Sequence, residues 1–303
     1  MRRHLETAKG RINFPAFFPV TTFGGSYPLD EIVRPYLDRF APAIMVSHFY
    51  AQKMKAPVTM PVFIDSGGFA SLFEGAEIND QGEVAVIRTK DKTVLHPAEI
   101  LEFQQKRAEI GATLDFIIPP NISEKESVRR QDLTIKNAAW AITRRKSNNF
   151  RLYASIQAWD AASAERIMNK LVNYPFDGFA LGGMVPRAGK PESIIEIVSA
   201  IREIEMRRPL HVFGIGQPTL LRRLFEIGVD SVDSSSFVQY AADRKFFQII
   251  DGTYIKSENT AASPCNCKIC HTLTLEYFTL RGEINTAALA LHNLSALNTF
   301  LGL

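Results

Sequence analysis

Short apolar runs alternate along the chain with longer amphipathic stretches. The runs at 15–23, 43–49, 62–67, 116–120, 152–157, 178–183, 210–216 and 231–237 are rich in Val, Ile, Phe and Ala, and glycine and polar residues collect at their ends. That pattern predicts buried parallel strands. Between them, 97–110, 123–146, 161–172, 191–207 and 218–227 carry apolar residues at spacings of three and four, which predicts helices. Pro97, Pro191 and Pro218 sit where a first helical turn tolerates a missing amide donor. Eight strands alternating with helices predict an α/β chain folded as a (β/α)8 barrel. The stretch 69–95 breaks the alternation, and 83–88 with 92–95 reads as a small hairpin inserted after the third strand. No repeat or low-complexity linker marks a second independent domain. The expected organisation is a barrel over 1–256 with a subdomain, 257–303, packed on it.

Composition changes this picture little. A chain of 303 residues, 46% hydrophobic and 22% charged, has enough material for one such barrel. No apolar run is long enough to span a bilayer, and the first residues lack the apolar stretch of a signal peptide, so a cytoplasmic location without a membrane partner is expected. The net charge is only +3, with an isoelectric point near 8.7. A polyanionic partner would therefore need a local basic patch. The basic runs at 129–130, 144–146, 207–208 and 222–223 are candidates, although most such runs are solvated helix faces.

The chain has three cysteines, all within six residues, as Cys265-x-Cys267-x-x-Cys270. Three thiolates from a tight turn and one imidazole from a following helix make a tetrahedral zinc set, and reduced thiols fit an intracellular metal site better than a disulfide framework. His292, on a helix-like apolar segment, is the preferred fourth ligand over the adjacent His271. Four protein ligands leave no position for water, which makes the expected zinc structural.

In barrels of this kind chemistry sits at the carboxyl ends of the strands. The third predicted strand ends in Asp65-Ser66-Gly67-Gly68-Phe69 and the eighth contains Asp233, so two carboxylates project toward one mouth. Such a pair can divide the roles of nucleophile and general acid/base at a glycosidic bond. Either aspartate alone reads equally well as a turn or strand-end residue; their co-occurrence with glycine-rich strand ends favours a site.

Taken in order, Asp65-Ser66-Gly67-Gly68-Phe69, Gly178-Phe179-Ala180-Leu181-Gly182-Gly183, Gly214-Ile215-Gly216, Gly228-Val229-Asp230-Ser231-Val232-Asp233 and the cysteine motif with His292-Asn293 resemble the motifs of the tRNA-guanine transglycosylases. The resemblance runs from Phe14 to the last helix. It implies a barrel with a zinc subdomain that exchanges guanine in a polynucleotide for a 7-deazaguanine, such as 7-cyano-7-deazaguanine, through a covalent aspartyl intermediate. Asp233 then corresponds to the nucleophile and Asp65 to the general acid/base. Phe69 corresponds to an aromatic that stacks on the base, and Gln157 with the Gly182-Gly183 backbone to the base-edge contacts. Core packing for Phe69 and a backbone-satisfying role for Gln157 are the blander readings.

Two departures bear on the polynucleotide. Where the family carries a further acid for reading the base, 111–121 shows no acid at the expected strand end. After Asp233, the Pro-Thr-Arg segment and its further arginine are replaced by Ser234-Ser235-Ser236-Phe237-Val238-Gln239. Phosphate contacts position a nucleic acid, so these losses favour DNA, through the family's DNA-modifying branch, with tRNA as the alternative. A homodimer contact or a partner protein that opens the polynucleotide stays open. A non-catalytic nucleic-acid-binding barrel is the rival of another class, and the presence of both Asp65 and Asp233 argues against it.

Overall fold

The computed structural model describes residues 3–55, 58–147, 149–257 and 267–303. Eight parallel strands form the central sheet: β1 (Ala16–Pro19), β2 (Ile44–Val46), β3 (Val62–Ile64), β4 (Ile110–Ala112), β5 (Arg151–Gln157), β6 (Gly178–Gly182), β7 (Leu210–Val212) and β8 (Ser231–Ser234). They pair in sequence order from β2 to β8, β8 pairs with β1, and a single parallel bridge between Val20 and Met45 brings β1 to β2. The sheet is thereby nearly closed into the expected barrel. Side chains alternate along it with period two. Ala16, Phe18, Met45, Phe63, Ile110, Ala112, Tyr153 and Ala180 fill the lumen, while Phe17, Ile44, Val62, Leu152, Phe179, Leu210 and Val232 pack outward into the core shared with the helices. An N-terminal hairpin, His4–Thr7 with Gly10–Asn13, sends Ile12 into the lumen cluster.

The α-helices longer than five residues among those described are α1 (Pro97–Arg107), α2 (Glu124–Arg144), α3 (Ala161–Leu171), α4 (Pro191–Ile204), α5 (Pro218–Glu226), α6 (Ser236–Ala242) and α7 (Glu283–Leu301). Their starts follow from local chemistry. Proline opens α1, α4 and α5, Ser123 caps α2 by accepting from Glu126 N, and Asp160 and Ser163 form a reciprocal capping box on α3. Among the described residues no helix is long and apolar enough to cross a membrane.

Two expectations need correction. The fourth strand is not 116–120 but Ile110–Ala112, whose first residue the sequence pattern places at the end of the 97–110 helix. Phe116 is buried for a different reason: it packs with Ala85, Ile87, Ile100, Leu114 and Leu133 in a satellite core beneath the insertion. The insertion itself is a three-stranded antiparallel sheet, because Glu77–Asp80 joins Ala85–Arg88 and Val94–Leu95.

Candidate active site

Just past the end of β3, Asp65 accepts through Oδ1 from the backbone N–H groups of His48, at 2.8 Å, and Gly67, at 2.9 Å. Burial drives its pKa up to about 7; the two backbone donors pull it down, and the negative charges of Asp115 and Asp233 push it further up. Asp65, Asp115 and Asp233 lie at or beyond the ends of β3, β4 and β8, so all three carboxylates stand at the carboxyl-end mouth of the barrel. Gln104 of α1 fastens two of those ends. Its Nε2 lies 3.1, 3.0 and 2.9 Å from the carbonyl oxygens of Ile64, Asp65 and Ala112.

Asp115 overturns the expectation that no acid stands at the fourth strand end. Once β4 is placed at Ile110–Ala112, Asp115 lies three residues beyond it, buried in the site. Ser66 Oγ donates to its Oδ1 at 2.8 Å and Gln157 Nε2 to its Oδ2 at 2.5 Å. Burial raises its pKa, against the pull of these two bonds. Gln157 Oε1 also accepts from Ile118 N at 3.3 Å, so this side chain satisfies a backbone group as well as holding Asp115. Glycine is required beside this cluster. A Cβ on Gly68 would come within 2.6 Å of Asp115 O, and Gly183 holds a φ of +73° with Gln157 Oε1 only 2.7 Å from where a Cβ would stand. Gly182 adjoins Asp115 Oδ2 in the same way, at 3.1 Å. Phe69 is not core: it is 53% exposed on the 3-10 turn Gly68–Leu72, edge-on to Phe73 with ring centroids 6.0 Å apart.

Asp233 is buried near the end of β8. Its Oδ1 accepts from Gly214 N at 3.0 Å and lies 3.0 Å from His211 Nε2, while His211 Nδ1 lies 2.9 Å from Ser231 Oγ. The sequence did not single out His211. Its only signal is a polar residue inside Leu210-His211-Val212 at the parity that faces the lumen. Most side chains of the basic runs have partners within the fold: Arg129 and Arg130 bond Glu126, Arg144 pairs with Glu83, Arg145 with Asp177, Arg208 with Glu205 and Arg223 with Glu192, and Arg222 donates to Phe300 O.

Cys267 Sγ, Cys270 Sγ and His292 Nδ1 lie within 4.8 Å of one another, each sulfur 3.3 Å from the nitrogen. His292 Nε2 lies 3.0 Å from Phe247 O, so its proton sits there and Nδ1 faces the sulfurs with a lone pair. The donor set and its tautomer fit a thiolate-rich metal site. His271 is exposed and outside the cluster. Cys265, the expected third thiolate, lies outside the described residues.

The family described as queuine tRNA-ribosyltransferase matches residues 2–302. The tRNA-guanine(15) transglycosylase of Methanothermobacter thermautotrophicus is 26% identical over 298 residues, covering 96% of this chain and 44% of that protein. Its namesakes from Methanocaldococcus jannaschii and Haloarcula marismortui are 24% and 27% identical, over 94% and 87% of this chain and 44% and 56% of their own lengths. The chain spans about half the length of the curated relatives it matches.

Proposed function

The chain belongs to the queuine tRNA-ribosyltransferase family, and on that premise we propose that it exchanges guanine in tRNA for a 7-deazaguanine base. The placement of Asp65, Asp115 and Asp233 at the carboxyl ends of β3, β4 and β8, on one mouth of the barrel, carries the reading. Asp233 attacks the anomeric carbon of the target nucleoside; an O–C bond forms, the C–N bond breaks, and its electron pair leaves with the purine. Asp65, whose raised pKa keeps it partly protonated at neutral pH, supplies the proton that the leaving guanine needs. It then takes a proton from the incoming base, whose nitrogen displaces Asp233. Asp115 suits the guanine edge: each of its oxygens accepts one protein bond and has capacity for another, and guanine's ring N–H and amino group present two donors side by side. Phe69, exposed at the mouth, offers a stacking face. Cys267, Cys270 and His292, with Cys265, would hold a zinc ion whose contribution is structural.

The relatives' names favour tRNA over the DNA expected from the sequence departures. DNA stays as the second reading on one observation, the serine run after Asp233 where the family has arginines. Incubation with labelled 7-cyano-7-deazaguanine and, separately, tRNA, single-stranded DNA and duplex DNA tests both. Label is expected in tRNA, with an adduct on denaturing gels that Asp233→Ala abolishes. Label in DNA alone reverses the substrate, and no label or adduct with any polymer refutes the exchange.

A further inference from the structure

We propose that His211 and Ser231 form a hydrogen-bonded pair inside the barrel that aims Asp233, holding one carboxylate oxygen so that the other faces the sugar. The proposal rests on Asp233 being the nucleophile. β7 and β8 are neighbours in register, with His211 opposite Ser231, and Asp233 two residues further along β8 on the same face. His211 is fully buried, and rings crowd it on three sides: Phe18 stacks at 5.7 Å, while Phe63 and Phe213 stand at 4.9 and 4.7 Å. Such an imidazole cannot swing, and its two nitrogens must find partners where they are.

The chemistry fixes the direction of each bond. The attacking form of Asp233 is a carboxylate and can only accept, so His211 Nε2 carries the proton. In the neutral ring Nδ1 is then an acceptor, and Ser231 Oγ–H, 2.9 Å away, donates to it. Oδ1 thus receives two bonds, from His211 and from Gly214 N–H. No described residue donates to Oδ2, and that atom is not sealed from solvent. Rotation of the carboxylate would break both bonds at once, so Oδ2 is the oxygen presented to the cleft. When the ester breaks, the same two donors meet the negative charge returning to Asp233.

Single-turnover and steady-state exchange in His211→Leu, His211→Gln and Ser231→Ala tests the pair, with a melting curve for each variant. His211→Leu should lower kcat on the order of 10- to 100-fold, the loss of one charge-assisted bond, with KM for the polynucleotide within about twofold. His211→Gln, which offers an amide donor toward Asp233 and a carbonyl toward Ser231, should recover most of the rate, and Ser231→Ala should show a smaller loss. A folded His211→Leu with wild-type kcat overturns the proposal. So does a loss that Gln leaves unrelieved and that raises KM in parallel, which marks a structural role. Should His211→Leu not fold, Ser231→Ala at full wild-type kcat is the overturning result. A wild type that forms no adduct, or an Asp233→Ala that still does, strikes at the nucleophile assignment and is read from a separate gel.

Discussion

Asp65 shows how one position can be both strained for stability and suited to proton transfer. Its carboxyl group is raised from 3.8 to about 7, chiefly by burial. Below the unfolded value both states hold the proton and burial carries no ionisation cost. As pH rises toward 7 the unfolded chain ionises while the folded site resists, so the group withdraws stability across that window and no further above it. Asp65→Asn keeps an oxygen for the His48 and Gly67 amides but cannot titrate. Its melting temperature relative to wild type should therefore climb from about pH 4 to 7 and level off, by a few degrees in all. Melting curves across that range check this, and a difference that does not change with pH would show an ordinary carboxyl group. The same substitution should slow exchange by roughly 10²- to 10⁴-fold, because proton transfer is lost while the geometry stays.

At the level of elements, buried amides on the helices hold the strand ends that carry the site. Gln104 of α1 bonds the ends of β3 and β4, Gln131 of α2 donates to Gln157 O and Ser163 O, and Asn137 of α2 exchanges bonds with Ala85 and reaches Leu114 O. Gln104→Leu would leave buried carbonyls on Ile64, Asp65 and Ala112 without their shared donor. It should reduce unfolding free energy by about 1–3 kcal/mol in denaturant titrations, with slower exchange because Asp65 and Asp115 both sit beyond those strands. A variant as stable and as active as wild type would show that the strand ends hold without it. These ties also explain what the sequence hid. Strands such as Gly178–Gly182 and Ser231–Ser234 are legible because apolar residues and terminal glycines or serines stand out against flanking helices. β4 is three residues with a central glycine, continuous with the apolar pattern of α1, whereas Phe116, Ile117 and Ile118 look like a strand because all three are buried, Phe116 in the satellite core. Asp115 was lost with that misplaced strand. His211 was lost because lumen-facing parity is visible only once the register is known. Asp65, Asp233, Gln157 and Phe69 could be named because strand ends, unlike strand interiors, are marked by composition.

Across the whole molecule, the terminal helix is bound to the barrel by more than apolar contact. α7 packs on α6, the helix that follows Asp233, and Asn293 accepts from Phe247 N and donates to Lys245 O in the strand Lys245–Gln248. Asn298 donates to Phe40 O, and the Arg222 guanidinium of α5 lies 3.7 Å from the Phe300 ring centroid. His292 belongs to this junction through Phe247 O and to the thiol cluster through Nδ1. A metal held by Cys267, Cys270 and His292 would therefore pin the turn at 267–273 to a helix already fastened to the barrel, and its loss should act on folding before it acts on chemistry. Cys267→Ser should lower bound zinc, measured by elemental analysis, and melting temperature together. Exchange should fall in proportion to the folded fraction, and treatment of wild type with a chelator should reproduce both changes. A mutant that keeps its metal and its melting temperature but loses only the exchange step would place the metal in the chemistry instead, and a wild type without stoichiometric metal would leave the cluster as packing alone.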